Sequence, residues 1–363
     1  MAPTRNVRAE RLDALVGAIF TAAGASAAEA RDVSEHLVES NLVGHDSHGV
    51  IRVNAYVRWI RDGLVFVGRE PDVVLDEGPL AILDGRLGLG QTIAIRAIDL
   101  AITKSAEHGV AVVALRNSGH VGRLGHWAER AVRAGRIALC FVNTSGFGIL
   151  QAPFGGSDRR ISANPLAIGV PRSPGPDFIL DISTSAIAEG KVQVALHRGE
   201  QVPEGTILDG AGRPTTDPER FYADPPGSLL PFGAHKGYGL ALAIDILAGA
   251  LSGGSCSRRG VPRLEQGLLS ILIDPARFQP HSAFTHEIAR FLEFVKESPP
   301  LVPGGEILVP GEVESRTRAA RIAGGIPLDA RTWIEILEAA ASVGIDAATA
   351  ERLLAPPRAE DRR

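Results

Sequence analysis

Apolar residues recur at helical spacing near the start of the chain. The first predicted helix carries Leu12, Leu15, Val16, Ile19 and Phe20 on one face. Ser26 followed by Glu29 is typical of a capping box, so a second helix is expected to begin there. A third helix is expected to end at Gly63. The pattern therefore predicts a helical layer at the N-terminal end.

From residue 71 onward, short apolar runs bounded by Gly, Pro, Asn or Asp are typical of β-strands. These runs are 73–75, 81–83, 110–115, 137–142, 166–170, 178–180 and 269–273. Helical spacing recurs at 92–106, 124–134, 237–251, 285–296, 329–341 and 347–354. Helices at both ends of a central run of strands predict an α+β fold. We expect a helical domain of residues 1–75 with 285–355, a central sheet domain of residues 76–284, and a disordered tail at 356–363.

Composition excludes several classes of protein. The 363 residues have a formal charge of −4, which argues against nucleic-acid binding through a basic surface. Two cysteines form no disulfide framework and fit a reducing compartment. Charged residues interrupt the N-terminal apolar stretch, and the run near residues 240–251 is too short to span a bilayer. We expect a cytoplasmic protein without a membrane partner.

A Gly-rich segment before the helix at residue 92 has some features of a dinucleotide-binding turn. Gly88 and Gly90 match the first two glycines of Gly-x-Gly-x-x-Gly, but Ile93 stands at the third position. No acidic residue ends a second strand about 20 positions further on, as contact with a ribose would require. We interpret the segment as a turn into a helix. A standard Rossmann site is not supported.

Residues 44–52 concentrate chemically active side chains in one turn after the second helix. As a metal site, His45, Asp46 and His48 would be the ligands. As a hydrolase site, Ser47 and His48 would need a nucleophile elbow, whose Gly-x-Ser-x-Gly frame fails at His45. As an acid/base site, His48 would titrate near neutrality and Arg52 could bind a carboxylate through two hydrogen bonds. A polar helix cap explains the same residues.

Other polar residues follow predicted strands. His120 lies in a loop at the end of a strand, where α/β enzymes keep reactive groups, although a solvated loop histidine is the alternative. Further small polar residues could hold phosphates or a ribose, although ordinary turns favour the same types. These residues are Thr144, Asn164, Asp181, Ser183, Thr184 and Ser185. His235 and Lys236 precede a helix, where their charge indicates an anionic partner.

In this order, the segments resemble the malate/L-lactate dehydrogenase family, which includes ureidoglycolate, sulfolactate and diketogulonate enzymes and the piperideine- and pyrroline-carboxylate reductases. The resemblance runs from the first helix to beyond residue 310. It is carried by Asp46–Gly49 with Arg52, Gly119–His120, Pro153–Gly156, Asn164–Leu166, Asp181–Ser183, Gly190–Val192, Lys236–Gly239 and Val309–Glu312.

The resemblance implies a domain that binds NAD or NADP on a sheet other than the Rossmann fold, and an interlocked homodimer. It implies that Ser47 and His48 are catalytic, that His120 is an acid/base in some members, and that Asp181 lies by the nicotinamide. Arg52 is expected to bind the substrate carboxylate. The residues implied to line the dinucleotide are Asp181, Ile182, Ser183, Thr184, Ser185, His235, Lys236, Pro310, Gly311 and Glu312.

We therefore expect a metal-independent, NAD- or NADP-dependent oxidoreductase that reduces a small 2-oxo acid or a cyclic 2-imino acid by hydride transfer. His48 is the first candidate for the proton donor and His120 the second. Ser47 and Asp181 are expected to orient the donor and fix its tautomer. Residues 197–198 could meet the 2′-phosphate of NADP, although a solvated turn explains them better.

Two functions of other classes compete with this prediction. A metal-dependent hydrolase or lyase would use His45, Asp46, His48 and His120 as ligands. A non-catalytic oligomeric binding protein would keep the fold without turnover. Neither alternative needs the Asp181 and Lys236 segments in place, so the oxidoreductase is the preferred interpretation.

Overall fold

The computed structural model describes residues 5–354, so the tail predicted at 356–363 lies outside the described residues. The helices are α1 (Ala9–Ala22), α2 (Ala27–Leu42), α3 (Val53–Arg61), α4 (Gly90–His108), α5 (Gly125–Arg133), α6 (Glu189–Arg198), α7 (Pro218–Tyr222), α8 (His235–Ile244), α9 (His281–Lys296), α10 (Glu312–Gly324), α11 (Ala330–Ser342) and α12 (Ala347–Leu354). Two 3-10 turns, Asp46–His48 and Val50–Arg52, connect α2 to α3, and a π-helical segment, Asp245–Ala250, extends α8.

The strands are β1 (Arg5–Val7), β2 (Asp72–Glu77), β3 (Leu80–Asp84), β4 (Val110–Ser118), β5 (Ile137–Gly146), β6 (Ile149–Gln151), β7 (Ile161–Ser162), β8 (Leu166–Val170), β9 (Phe178–Ile182), β10 (Ile207–Leu208), β11 (Pro214–Thr215), β12 (Ser228–Leu229), β13 (Leu264–Ile273) and β14 (Ile326–Leu328). The largest sheet has the order β2-β3-β4-β13-β5-β8-β9. In it, β3 and β4 are parallel and the other neighbours are antiparallel. The mixture of helices and mixed sheet agrees with the predicted α+β class.

A smaller sheet was not predicted from the sequence. It has the order β11-β10-β12-β6-β7, and its strands are only two or three residues long. Strands this short show no alternation of polar and apolar positions, so the sequence pattern gives no signal for them. The helices α6, α7 and α10 were also missed, and residues 197–198 end α6 instead of forming a turn.

Two hydrophobic cores hold the helices and the large sheet together. The first joins the N-terminal helices to the C-terminal ones; its members include Leu12, Leu15, Ile19, Phe20, Leu37, Val57, Ile326 and Ile336. The second packs α4 and α5 against the sheet, with Ile93, Ile98, Leu115 and Trp127 fully buried. Helix α9 contributes no residue to the first core. The predicted domain boundaries stay a prediction.

Local signals explain how several elements begin. Ser26 and Glu29 form the predicted capping box at α2, with each side chain bonded to the backbone N–H of the other. Gly90 starts α4 where a Cβ would clash with the carbonyl of His120, so a glycine allows the helix to approach the His120 loop. Within residues 5–354, no helix is long and apolar enough to cross a membrane. The cytoplasmic location stays a prediction.

Candidate active site

The turn that carries Ser47 and His48 is held by the last helical turn of α2. Asn41 donates from Nδ2 to Asp46 Oδ1 at 2.6 Å and accepts the Val50 N–H at 2.8 Å. With the backbone so fixed, Ser47 Oγ lies 3.0 Å from His48 Nδ1. The predicted pair of adjacent side chains is therefore in hydrogen-bond contact.

The residues proposed for a metal site do not converge. Asp46 directs both carboxylate oxygens at Arg321 on α10, at 2.6 and 3.0 Å. His45 Nε2 instead contacts Glu314 Oε1 at 3.3 Å. Among the described residues, no group of three or more His, Cys, Asp or Glu side chains could hold a metal ion. The ligand set of the hydrolase or lyase alternative is therefore not assembled, because Asp46 is engaged with Arg321 and His45 with Glu314.

Arg52 is anchored by one nitrogen and leaves the others available. Its Nε donates to the carbonyl oxygen of Ser47 at 2.7 Å. The Nη2 atom lies 3.8 Å from Glu189 Oε2, which is an ion pair too long for a hydrogen bond. The Nη atoms donate no hydrogen bond to any residue in the described part of the chain. Arg52 can therefore offer its outer edge to a carboxylate.

The neighbours of His120 determine which of its ring nitrogens carries the proton. Its Nδ1 accepts the N–H of Gly122 at 3.2 Å and lies 2.5 Å from the hydroxyl of Tyr56. Gln91 Nε2 in turn donates to that hydroxyl at 3.2 Å. Since a backbone N–H can only donate, Nδ1 is an acceptor and the proton of the neutral ring lies on Nε2. His120 is therefore a hydrogen-bond donor through Nε2.

His48 and His120 lie face to face. Their ring centroids are 5.6 Å apart with planes inclined by 18°. Burial, followed by the charge of Arg52, lowers the pKa of His120 to about 3 and the pKa of His48 well below its ordinary value. The expectation that His48 titrates near neutrality was therefore wrong. With pKa values lowered in this way both rings are expected to be neutral at pH 7, and both residues are partly exposed.

The loop that carries His120 is tied down by side chains from three other elements. Val121 N donates to Gln266 Oε1 at 2.7 Å, and Arg123 N donates to His36 Nε2 at 2.8 Å. Gly125 N donates to Asp181 Oδ2 at 2.8 Å. Asp181 thus positions this loop, and within residues 5–354 it makes no hydrogen bond to His48. Its predicted role in orienting His48 stays a prediction.

Three segments implied to line a dinucleotide lie next to one another. Phe232 N donates to the carbonyl oxygen of Thr184 at 3.0 Å, which places residues 181–185 against the start of α8. Ile179 N donates to the carbonyl oxygen of Pro310 at 3.3 Å. His235 and Lys236 are exposed in the first turn of α8. The arrangement brings His235, Lys236 and a helix N-terminus beside a run of hydroxyl groups.

Other residues proposed to bind the cofactor are already engaged within the protein. Thr144 accepts from Gln266 Nε2 at 2.8 Å, and Asn164 bonds to Thr144 N at 3.3 Å and to Ala241 O at 2.9 Å. Both Thr144 and Asn164 are buried. These contacts suit them to hold β5, the segment before β8 and α8 together.

Glu312 is likewise engaged. Its carboxylate accepts two hydrogen bonds from Lys296 Nζ, at 2.6 and 2.7 Å. Burial acts to raise the pKa of Glu312, but hydrogen bonds from Lys296 and the Val309 N–H hold it below the ordinary value. Glu312 therefore joins α9 to α10, and Gly311 before it has a φ of +97°.

Sequence reasoning missed five polar residues at this site. They are Tyr56, Gln91, Glu189, Tyr222 and Gln266. Tyr56 could have been found, because it lies four residues after Arg52 and so on the same helical face. Gln266 could not, since it contacts Val121 across 145 residues of sequence.

Comparisons with known proteins identify the class. Hydroxycarboxylate dehydrogenase B of Escherichia coli strain K12 is 40% identical over 342 residues, which cover 93% of this chain and 94% of that protein. Malate dehydrogenase from Pyrococcus horikoshii has a similar structure, with a TM-score of 0.85, 31% identity, and coverage of 95% of this chain and 98% of that one. Delta1-piperideine-2-carboxylate reductase from Pseudomonas syringae has a TM-score of 0.81, 30% identity, and coverage of 93% and 100%. The class is that of an oxidoreductase.

The family follows from a match along most of the chain. The sequence model for malate/L-lactate dehydrogenase matches residues 7–337. The chain belongs to the malate/L-lactate dehydrogenase family, and the predicted resemblance is confirmed. Membership of this dehydrogenase family implies a nicotinamide cofactor.

Proposed function

We propose that this protein is an NAD- or NADP-linked oxidoreductase that interconverts a small 2-oxo acid and its 2-hydroxy acid, of the malate, lactate or ureidoglycolate type, or reduces a cyclic 2-imino acid. The observation that carries the proposal is the contact of Ser47 Oγ with His48 Nδ1 beside the Nη edge of Arg52, which donates no hydrogen bond within the described residues. The hydroxycarboxylate, malate and piperideine-carboxylate relatives support the substrate class.

Arg52 binds the substrate carboxylate in this proposal. Its Nε–H is used by Ser47 O, so the two Nη groups remain for a carboxylate. The bond to Ser47 also fixes the guanidinium relative to His48, since Ser47 and His48 are adjacent in one 3-10 turn. A substrate held at Arg52 therefore has its C2 atom near the two imidazoles.

His48 and His120 take different roles. His120 donates a hydrogen bond from Nε2 to the oxygen or nitrogen on C2, because its Nδ1 is occupied by the Gly122 N–H and Tyr56. His48 exchanges the proton, with Ser47 orienting its ring. The neutral His48 is ready to accept the hydroxyl proton when a 2-hydroxy acid is oxidised. In the reducing direction, His48 has to be protonated first.

The cofactor fits the segments around α8 and β9. The exposed Lys236 and His235, in the first turn of a ten-residue helix, suit an anionic pyrophosphate. Ser183 is partly exposed and suits a hydroxyl group of a ribose. Ser185 is buried and donates to the carbonyl oxygen of Ile187 at 2.8 Å, and its hydroxyl lies 3.0 Å from that of Ser183, so it is suited to orient Ser183. When bound, the nicotinamide supplies the hydride chemistry. Ile182, Thr184, Pro310 and Gly311 are proposed to line the same ligand.

Exposed apolar surface supports the proposed homodimer. Phe291 and Phe294 on α9 are 57% and 71% exposed, and Ile246 and Leu251 beyond α8 are 58% and 59% exposed. Contiguous apolar surface is typical of a protein interface, and these side chains are candidates for one. Light scattering should report twice the chain mass, and a fully active monomer would contradict the dimer.

A substrate panel tests the function. Purified protein is mixed with NADH or NADPH and a set of 2-oxo acids and cyclic imino acids, and with NAD⁺ or NADP⁺ and the matching 2-hydroxy acids, while absorbance of the reduced nicotinamide is followed. We expect turnover of at least one carboxylate substrate in both directions and none of the analogue in which the carboxylate is an amide. Turnover of the amide at an equal rate would contradict the role of Arg52.

A further inference from the structure

Glu189 lies directly beside the proposed substrate site. It is the first residue of α6, and the next residue, Gly190, packs so closely on Ser47 that a Cβ there would clash with the Ser47 side chain. This contact fixes the start of α6 against the turn that carries His48. Glu189 is therefore held beside the site by backbone packing.

The two carboxylate oxygens of Glu189 have different neighbours. Oε1 accepts a hydrogen bond from the Tyr222 hydroxyl at 2.7 Å, while Oε2 faces Arg52 Nη2 at 3.8 Å. Burial and the Glu189 carboxylate raise the pKa of Tyr222, so the phenol stays protonated and donates. Tyr222 thus keeps the other oxygen of Glu189 directed at Arg52.

Two positively charged groups and one negatively charged group act on Tyr222. Arg52 and Arg159 each carry one positive charge, and both act on Tyr222 together with the negative Glu189. Arg159 donates to Gly227 O at 2.6 Å and lies over the ring of Phe221, whose centroid is 4.9 Å from the guanidinium carbon. Over these three groups the sum is one positive charge, which a single substrate carboxylate on Arg52 balances.

We propose that Glu189 is a specificity-determining residue that restricts the site to substrates with one carboxylate. The inference rests on the proposed function and narrows it, because it favours the lactate type over the malate type. A second carboxylate beside Glu189 would make the sum over these groups negative, and like charges disfavour the wrong ligand. If Glu189 only supported Arg52, its loss would weaken every carboxylate substrate equally.

The test compares two ligands that differ in charge alone: 2-oxoglutarate and 2-oxoglutaramate, its isosteric 5-amide. The measured quantity is the ratio of kcat/KM for the acid to kcat/KM for the amide. Wild type should favour the amide, and Glu189→Gln, which keeps size and the Tyr222 bond, should raise the ratio about tenfold, the size expected for one nearby like charge in a partly exposed site. Tyr222→Phe, which frees Glu189 without removing its charge, should raise the ratio less.

Glu351→Gln is the matched control, since it removes the same charge from an exposed pair with Arg5 at 3.4 Å. It should leave the ratio unchanged. An equal change for both ligands in Glu189→Gln, or a wild type that prefers the acid, would overturn the inference. The same ratio read from Kd by calorimetry does not depend on turnover. An enzyme that shows the charge preference in binding but turns over no 2-oxo, 2-hydroxy or cyclic imino acid of the substrate panel would contradict the proposed reaction and leave the selection by Glu189 standing.

Discussion

The loop of residues 119–125 lies beside two pairs of neighbouring histidines, His48 with His120 and His36 with His126. The surroundings of the two pairs differ. The rings of His48 and His120 lie 5.6 Å apart next to Arg52. The rings of His36 and His126 lie 4.5 Å apart, and His36 stacks on Trp127 at 5.0 Å. Burial is the largest cause that lowers the pKa of all four. A low pKa therefore records desolvation here and does not by itself mark a catalytic residue.

What separates the pairs is the partner of each ring nitrogen and access to it. His36 is only 1% exposed, and its Nε2 accepts the Arg123 N–H, so it cannot meet a ligand. His48 is partly exposed and contacts Ser47 through Nδ1, which leaves Nε2 for a substrate. His48 and His120 are thus suited to chemistry, and His36 and His126 are suited to holding the loop in place.

The largest expected effect is at His48. The substitution His48→Asn keeps a polar group near the Nδ1 position beside Ser47 but removes Nε2, so kcat should fall by about 10²-fold or more. Cofactor affinity, measured by fluorescence titration, should stay unchanged. His120→Asn keeps an acceptor for Gly122 and should cost less. If His120→Asn abolishes the pH dependence and His48→Asn does not, the proton passes through His120.

The lowered pKa of His48 predicts the direction in which kcat/KM changes with pH. Because burial and then Arg52 lower the pKa of His48, oxidation of a 2-hydroxy acid should keep its kcat/KM down to a pH below the ordinary histidine value of about 6.5. The rate should fall only as the pH drops through the lowered pKa and the base becomes protonated. Reduction should show the opposite limb, with kcat/KM falling as the pH rises through the same pKa.

A smaller effect is expected at Arg52. Arg52→Lys keeps the charge but loses the planar pair of Nη donors and the Nε bond to Ser47 O. KM should rise by roughly 10- to 100-fold, as for a lost charged hydrogen bond of about 1.5–3 kcal/mol. Cofactor affinity is the internal control. An unchanged KM would mean that the carboxylate binds elsewhere.

The smallest effect on turnover is expected at His36, where stability should change instead. His36→Leu leaves the Arg123 N–H buried without an acceptor, so the free energy of unfolding should fall by about 1–3 kcal/mol in urea denaturation. His36→Gln can place an amide oxygen near the former Nε2 and should lose less. The pH limb should not move in either variant. A shifted limb would show that His36 takes part in the proton exchange.

The sequence predicted the elements whose own residues define them. The capping box at Ser26 and Glu29 and the long apolar strands β4, β5 and β13 were found because their signals are local. The turn with Ser47, His48 and Arg52 was also found. Glu189 and Tyr222 were not found, because the role proposed for them depends on a contact between α6 and α7 across 33 residues of sequence. A resemblance to a family gives no signal for such pairs.

The ion pair between Asp46 and Arg321 has a consequence for refolding. Arg321 binds Asp46 in the turn that carries Ser47 and His48, although it lies 275 residues further along the chain. Contacts of such separation form late, because loop closure has to be completed first. After dilution from denaturant, circular dichroism should therefore recover before turnover does.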